Sequence, residues 1–319
     1  MARAGISAQK LNLLTKGCYE ALGTCRPGAD DARVQAGKSV RDGINPNRHN
    51  APDGYAPYIA SAVVHLPNFE GYHEQRFEVV KVSLETMRKN AGLNCQTLIW
   101  DNGSCAEFRD WLMNEYKPDH VRLGTNVGLS SGRAGIVRML PPSTIVAVAD
   151  DDMYYYPDWF KVQVELMHAF PNVGQVSGYP VRTQMRWGNH ETIRWANKTA
   201  KVEYGKFIPD EWDKDFCDSI GRDYNWHLAY TLGNGDRDIR ITYQGVQAYA
   251  FAHHCQFICE AGKLAPLMRF TSEAMSDDKI FDNAVDATGM LRLTTVERMT
   301  RHIGNVLDAD LKPRARRKH

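Results

Sequence analysis

Three adjacent aspartates, Asp150, Asp151 and Asp152, follow an apolar run that begins at Ile145. Such a run is typical of a buried strand, because it has no polar side chain to face water. Carboxylates at the carboxyl end of a buried strand can bind a hard divalent cation, and the cation can bind phosphate oxygens. The three aspartates therefore predict a site for a cation and a phosphorylated ligand, and a nucleotide-dependent enzyme is the first hypothesis.

The elements around these aspartates follow two patterns. Apolar runs predict strands at 58–66, 96–100, 121–123, 145–149 and 173–177. Apolar residues at helical spacing predict helices at 76–90, 106–116, 130–139 and 160–169. Alternating strands and helices predict an α/β fold, a Rossmann-like and mostly parallel sheet flanked by helices, with ligands at the carboxyl ends of the strands.

Composition limits the classes of protein. The chain has 319 residues, of which 43% are hydrophobic, so it can bury one large core. A net charge of +1 gives no overall field that would favour nucleic acid or an anionic membrane. The seven cysteines are an odd number without paired spacing, so we expect reduced thiols and a cytoplasmic protein. No apolar segment is long enough to predict a transmembrane helix.

The chain divides into three parts that differ in amino-acid composition. Residues 1–55 are polar and predict an N-terminal arm, partly helical or extended. Residues 56–305 predict one folded domain, regular over about 56–180 and irregular over about 181–305. The irregular half includes 182–245, where apolar runs are few and substrate-specific loops are expected. Residues 306–319 predict a basic C-terminal tail.

Several segments in chain order carry a family resemblance. They are 63–70, with Pro67 and Asn68; 98–104, with the sequence Leu-Ile-Trp-Asp-Asn-Gly-Ser; 126–136, with Asn126, Gly128 and Arg133; the aspartates 150–152; 276–289, with Asp277 and Asp278; and 300–305, with His302. Together they resemble the glycosyltransferase family 2 type of enzyme with a GT-A fold, over residues 58–305. Ala134 and Asp277 depart from the family pattern, which has Asn and Glu at these positions.

The resemblance implies a nucleotide-sugar donor, expected to be a UDP-sugar. It also implies a catalytic domain over 56–305, with a donor half at about 56–180 and an acceptor half at about 181–305. It places Asp101 at the nucleobase and Asp150 at the ribose or at a metal-bound water. The implied donor-binding residues are Pro67, Asn68, Asp101, Asn126, Gly128, Arg133, Asp150 and Asp151.

The resemblance also implies a metal site and a base. Asp152 is the expected direct ligand of Mn²⁺ or Mg²⁺, and His302 is the expected second ligand. An imidazole ligand favours Mn²⁺. A cation stabilises the charge that develops on a leaving diphosphate. Asp278, together with Asp277, is the expected catalytic group, because the acceptor hydroxyl loses a proton during an inverting transfer. Retention stays open.

Each of these residues also has a purely structural interpretation. Asp101 begins a sequence that forms turns readily, and Asp277 and Asp278 suit the first turn of a helix. Arg133 can form an ion pair, and His302 can be a partly buried polar residue. His253, His254, Cys255 and Cys259 have the side chains of zinc ligands. Two adjacent histidines do not share a face, however, and Cys259 lacks the spacing of a zinc knuckle, so the sequence argues against zinc there.

The acceptor and the reaction class stay open. An acceptor with a free hydroxyl can be a glycan, a small molecule, a lipid carrier or a modified nucleic acid. The alternatives are a nucleotidyltransferase of similar fold and a nonenzymatic nucleic-acid-binding protein that uses the basic tail. A further variant is glycosylation of a modified DNA base, with the tail holding the polymer.

Overall fold

The computed structural model describes residues 54–182, 187–232, 238–268 and 276–311, except for the side chains of residues 232, 276 and 277. The predicted N-terminal arm up to residue 53 and the predicted basic tail beyond residue 311 lie outside the described residues.

Within the described residues, ten strands form one sheet. Across the sheet they are β3 (His120–Leu123), β2 (Gln96–Asp101), β1 (Tyr58–Val64), β4 (Ile145–Ala149), β10 (Gln256–Glu260), β6 (Val173–Ser177), β11 (Leu291–Thr294), β9 (Val246–Tyr249), β8 (Asp238–Tyr243) and β7 (Lys201–Gly205). A separate antiparallel pair consists of β5 (Met153–Tyr155) and β12 (Thr300–His302).

The helices connect and cover these strands. In chain order they are α1 (Arg76–Lys89), α2 (Ala106–Trp111), α3 (Leu129–Met139), α4 (Trp159–Ala169), α5 (His190–Thr199), α6 (Asp210–Ser219), α7 (Tyr224–Leu232), α8 (Ala261–Leu264) and α9 (Ser276–Ala287). A π-helical turn, Leu112–Tyr116, extends α2 to the end of the predicted helix.

The predicted α/β class is confirmed, and the sheet is mixed. Strands β3, β2, β1 and β4 run parallel, as the alternating pattern predicts. Strand β10 runs antiparallel to β4 and to β6, between which it lies. Strands β7, β8 and β9 also pair antiparallel. The parallel strands alone place several carboxyl ends side by side, so the predicted ligand edge belongs to this part of the sheet.

Because helices cover both faces of the sheet, strand β1 is apolar except for Ser61, whose hydroxyl donates to the carbonyl of Ala147. Ala60 and Ala62 belong to a core cluster that contains the buried face of α1. The alternate residues Ile59 and Val63 belong to a second cluster, which contains the buried face of α3. Successive side chains of a strand point to opposite faces, so a strand buried on both faces favours apolar residues at successive positions.

Residues 182–245 are more regular than the sequence predicts. They contain helices α5, α6 and α7 and strands β7 and β8. Strand β7 lies at the edge of the sheet and its residues are only partly buried or exposed. A half-exposed strand needs few apolar residues, and a surface helix needs one apolar stripe. The apolar runs are therefore too short to reveal these elements.

The end of the described chain packs onto α1. Leu307 and Leu311 are buried with Val79 and Val82 in one cluster. The packed part of the chain therefore reaches Leu311, beyond the domain end predicted at residue 305. None of the described helices has the length and apolar character needed to cross a bilayer.

Candidate active site

The aspartates of the sequence prediction lie at the carboxyl edge of the parallel strands. In the register of β1, Val64 pairs with Asp101 of β2, and Ala62 pairs with Ala149 of β4. Their loops therefore leave the sheet at one edge. Helix α1 covers one face of the sheet and α3 the other, and ligands of such sheets bind at this edge.

Arg76, the first residue of α1, binds two of the three aspartates. Its guanidinium forms an ion pair with Asp151 and places Nη1 3.4 Å from Oδ2 of Asp152. The same Nη1 donates to the side-chain oxygen of Asn305 at 2.6 Å. Burial raises the pKa of Asp151 to about 6 despite the adjacent guanidinium. Asp151 is thus held by Arg76, a residue that no sequence motif marks as part of a site.

Arg133 of α3 connects the strand end to α9. Its guanidinium forms an ion pair with Asp150 and a second one with Oδ1 of Asp278, with 2.8 Å between Nη1 and this oxygen. Burial opposes the positive charge, but the two carboxylates outweigh it and raise the pKa of Arg133. The second oxygen of Asp278 lies 3.4 Å from Nε2 of His254. Four elements that are distant in sequence therefore meet at Asp278 and Asp150.

His302 lies beside Asp152 because β12 pairs with β5. His302 pairs with Met153, and Ile303 N–H donates to the carbonyl of Asp152 at 2.8 Å. Nε2 of His302 is 3.3 Å from Oδ1 of Asp152, in an ion pair without hydrogen-bond geometry. Nδ1 lies 2.8 Å from the hydroxyl of Ser219. The histidine is therefore oriented through one nitrogen, and the other faces the carboxylate.

Asp152 and His302 each stabilise the charged form of the other. Burial disfavours the ionised form of Asp152, but His302 and then Arg76 outweigh burial and lower the pKa of Asp152 to about 2. Burial also disfavours the imidazolium, and Asp152 outweighs it and raises the pKa of His302. Oδ1 of Asp152 is buried and has no hydrogen-bond partner among the described residues. An ionised oxygen without a donor is a position for a cation.

The loops after β1, β2 and β3 form a hydrogen-bonded network at the same edge. Asn102 donates to the side-chain oxygen of Asn126 at 2.9 Å, and the carbonyl of Asn102 lies 3.0 Å from Nδ1 of His65. Gly128 N–H donates to the same oxygen of Asn126, and Gly128 has φ +85° at the start of α3. A side chain would strain the backbone there, which is a structural reason for this glycine.

Two predicted donor residues occupy different environments. Asp101 is fully buried, and its oxygens accept from Ser104 N–H at 3.0 Å and from Nε of Arg109 at 2.7 Å. Asn68 is exposed in the loop after β1, next to Pro67, and accepts from Glu70 N–H at 3.0 Å. The carboxylate of Asp101 thus supports the turn, and its role at the nucleobase stays a prediction.

The structure brings together the residues expected at the metal and at the base. Two ion-pair groups, one around Arg76 and one around Arg133, are joined by the chain where Asp150 meets Asp151. We call them together the strand-end cluster, and its members are Arg76, Arg133, Asp150, Asp151, Asp152, Asp278 and His302. Asp277 lies in α9, but its side chain is outside the described residues. Sequence reasoning missed Arg76, His65, Ser219, His254 and Asn305, because their contacts join segments that are remote in the chain.

The family comparison agrees with this geometry. The model of the family described as Glycosyl transferase family 2 matches residues 72–226, a span just under half of the chain. This span includes Arg76, Arg133 and the three aspartates. Residues 72–226 thus match this family, and the resemblance predicted from the sequence is confirmed over this span.

Solved structures give a weaker likeness. A mannosyltransferase, PcManGT from Pyrobaculum calidifontis, solved with GDP-Man and Mn²⁺, is 15% identical with a TM-score of 0.29. The alignment covers 40% of this chain and 37% of that one. GalNAc-T7, solved with UDP, GalNAc and Mn²⁺, is 12% identical with a TM-score of 0.41. Here the alignment covers 77% of this chain and 42% of that one.

This chain thus spans less than half of the length of either structure. Both TM-scores are low, and neither likeness bears on the donor or the metal of this chain. No curated protein matched the sequence.

Proposed function

We propose that this protein transfers a sugar from a nucleoside diphosphate donor, with a UDP-sugar as the expected nucleotide, to an acceptor hydroxyl in a reaction that needs a divalent cation. The observation that carries the proposal is the unpartnered, buried oxygen of Asp152 beside Nε2 of His302, 3.3 Å away. It lies at the carboxyl edge of the parallel strands, within the span that matches glycosyl transferase family 2.

The residues present fit a divalent cation. Asp152 has a low pKa of about 2 and would bind the cation as a carboxylate at neutral pH. Ser219 holds Nδ1 of His302, as the outer partner of a metal-binding histidine commonly does, which leaves Nε2 as the ligand atom. One nitrogen and one oxygen ligand suit Mn²⁺ better than Mg²⁺, and Mg²⁺ is the alternative. When bound, the cation would supply Lewis-acid stabilisation of the leaving diphosphate.

Asp278 is the proposed base. In an inverting transfer the acceptor oxygen attacks the anomeric carbon while the bond to the diphosphate oxygen breaks on the opposite face. The hydroxyl proton then passes to a carboxylate within hydrogen-bond reach. Nη1 of Arg133 lies 2.8 Å from Oδ1 of Asp278, and the same guanidinium binds Asp150. Arg133 therefore sets the distance between the proposed base and the proposed donor contact. This positioning is the proposed role of Arg133.

The donor nucleotide is expected beside the loops after β1, β2 and β3. The network of His65, Asn102 and Asn126 presents amide and ring groups there. Such neutral groups suit a uracil and a ribose. Asp150 is the proposed contact of the ribose or of a metal-bound water. The ion pair of Asp151 with Arg76 is proposed to hold the neighbouring aspartates in position. The acceptor can be a glycan, a small molecule, a lipid carrier or a modified nucleic acid.

The test is incubation with a panel of nucleotide sugars and Mn²⁺ and detection of the released product. We expect UDP release from one donor, stimulated by the true acceptor. Release of pyrophosphate from a nucleoside triphosphate and a sugar phosphate would instead establish the nucleotidyltransferase. Absence of both products, with no thermal stabilisation by any nucleotide sugar, would contradict the proposal.

The base is tested by Asp278→Asn. We expect sugar transfer to fall roughly 10²- to 10⁴-fold while the donor still binds. A matched control is Asp218→Asn, which changes an exposed aspartate that pairs with Lys214 and should leave transfer unchanged. Loss of donor binding in Asp278→Asn would move Asp278 from the base to a structural role.

A further inference from the structure

His253, His254 and Cys255 bring three soft-metal ligand atoms together next to the strand-end cluster. One ligand atom of each residue lies within 4.8 Å of the other two. The segment is a turn between β9 and β10, so adjacent side chains are not forced to opposite faces as they are in a strand. His253 is 1% exposed and Cys255 is 9% exposed. The objection that adjacent histidines do not share a face therefore does not hold for this backbone.

Two imidazole nitrogens in this group are buried without a partner. Among the described residues, neither Nε2 of His253 nor Nδ1 of His254 has a hydrogen-bond partner. Nδ1 of His253 accepts from Cys255 N–H at 3.2 Å, and Nε2 of His254 faces Oδ2 of Asp278 at 3.4 Å. A buried nitrogen without a partner costs free energy. Two such atoms beside a buried thiol are possible ligand atoms for a metal ion.

We propose that His253, His254 and Cys255 bind a thiophilic divalent cation of the Zn²⁺ class, at a site separate from the cation expected at Asp152 and His302. Sulfur and imidazole nitrogen are the ligands that Zn²⁺ takes in proteins, and three protein ligands leave a fourth position for water. Binding breaks the S–H bond of Cys255 and forms a metal–sulfur bond, and the thiol proton leaves to solvent. Because Nδ1 of His253 accepts from Cys255 N–H, Nε2 carries the ring proton; for Nε2 to bind the cation, this proton moves to Nδ1 by exchange with solvent and the bond from Cys255 N–H is given up.

His254 would bind the cation through Nδ1. Its Nε2 faces the carboxylate of Asp278, and a carboxylate behind a histidine fixes the ring and strengthens it as a ligand. The carbonyl of Cys255 also accepts Asp150 N–H at 2.9 Å. A cation here would restrict the movement of the Cys255 backbone that binds Asp150 N–H, and of His254 beside the side chain of Asp278. The proposal does not depend on the sugar-transfer reaction.

Co²⁺ is the probe, because a cobalt–thiolate bond gives a sulfur-to-metal charge-transfer band in the near ultraviolet. We expect the metal-free full chain to bind Co²⁺ with this band, and Zn²⁺ to displace it. Cys255→Ala should remove the band, and the matched variant Cys259→Ala should keep it, since Cys259 is a buried thiol of β10 outside the group. Asp152→Asn should also keep the band, which separates this site from the proposed catalytic one.

A Co²⁺ complex without the charge-transfer band, or a band that persists in Cys255→Ala, would overturn the proposal. If Cys255→Ala fails to fold, His254→Gln provides the second variant. It keeps the sulfur but should weaken Co²⁺ binding at least about tenfold, as loss of a ligand or of its orienting partner does. Unchanged affinity in His254→Gln would also overturn the proposal, and an ordered water on the two nitrogens would then satisfy them.

Discussion

Two groups of aspartates around arginines lie in the two halves of the molecule, and they differ in how completely the carboxylates are satisfied. In the second group, which we call the Arg182 cluster, Arg182 binds Asp213 and Asp238 and also contacts Asp210. Backbone N–H groups of Arg182, Phe207 and Ile208 donate to the same carboxylates. In the strand-end cluster, one buried oxygen of Asp152 has no donor.

The difference separates a structural cluster from a site. In the Arg182 cluster each oxygen of Asp213 and Asp238 accepts a hydrogen bond, so these two carboxylates are satisfied. In the strand-end cluster the adjacent carboxylates add to the effect of burial, which raises the pKa of Asp151 to about 6, whereas His302 and Arg76 lower the pKa of Asp152. A raised carboxylate pKa costs stability at neutral pH, and strongly shifted carboxylates concentrate at functional sites.

The largest effect on stability is expected for Arg182→Met. The change leaves Asp213 and Asp238 buried without their cation, which costs about 3–5 kcal/mol in the free energy of unfolding. Denaturant unfolding measures it. Arg194→Met is the control, because Arg194 pairs with Glu191 at the surface and its loss should cost less than about 1 kcal/mol. Equal losses in both variants would show that the Arg182 cluster does not hold the acceptor half.

Asp152→Asn should show the opposite behaviour. We expect sugar transfer to fall about 10²- to 10³-fold, because a group that stabilises the developing charge is lost. Stability should fall less than in the matched variant Asp213→Asn, because Arg76 keeps Asp151 and Asn305 as partners when Asp152 is neutral. Asp213 is instead fully buried, and both of its oxygens accept hydrogen bonds. If Asp152→Asn unfolds as readily as Asp213→Asn, the comparison between the two clusters fails.

Gly304→Ala tests the support of His302. Gly304 has φ +65°, and an added Cβ would lie 2.2 Å from the carbonyl oxygen of Ser219. We expect a loss of about 1–3 kcal/mol in stability and weaker Mn²⁺ binding, because Ser219 must move away from His302. Gly245→Ala is the control, with φ +84° and no atom within 4 Å of the added Cβ. Mn²⁺ affinity and unfolding measure the two effects, and an identical response of both variants would remove the proposed role of Ser219.

The smallest effect is expected at Asp119, a satisfied carboxylate outside both clusters. Burial raises its pKa, but hydrogen bonds from Thr97 and the charge of Arg88 outweigh burial and lower the pKa of Asp119 below 3.8. A folded-state pKa below the unfolded one contributes stability above pH 3.8 and loses it as the pH falls through the folded pKa.

Asp119→Asn should therefore lower the free energy of unfolding by less than about 1 kcal/mol at neutral pH, with the difference from wild type vanishing in acid. Unfolding curves from neutral to acid pH measure it. A difference that grows as the pH falls would contradict the assigned sign.

Local pattern predicted most of the donor half. The predicted helix over 76–90 is observed as α1 (Arg76–Lys89), and the apolar runs give β1, β2 and β4 within two residues of their ends. Both faces of these strands are covered, so apolar side chains are favoured at successive positions and the run is visible in the sequence. The antiparallel strands β7 and β8 were not predicted, because half-exposed strands lack continuous apolar runs.

The candidate site was predicted in its parts but not in its connections. The three aspartates, Arg133 and Asp278 are recognisable from motifs. Arg76 begins a helix with no motif around it, yet its guanidinium holds Asp151. Similarly, the group of His253, His254 and Cys255 looks unfavourable as a strand, and only the turn before β10 brings its ligand atoms within 4.8 Å.

The sequence by itself determined that an apolar strand delivers three carboxylates to one edge of an α/β sheet, because hydrophobic periodicity is a local property of the chain. Tertiary structure decided which cation meets which carboxylate. Arg76 binds Asp151, Arg133 joins Asp150 to Asp278, and His302 reaches Asp152 through the pairing of β12 with β5. These contacts join residues far apart in the chain, and their electrostatics depend on burial and distance, neither of which is encoded in a local pattern.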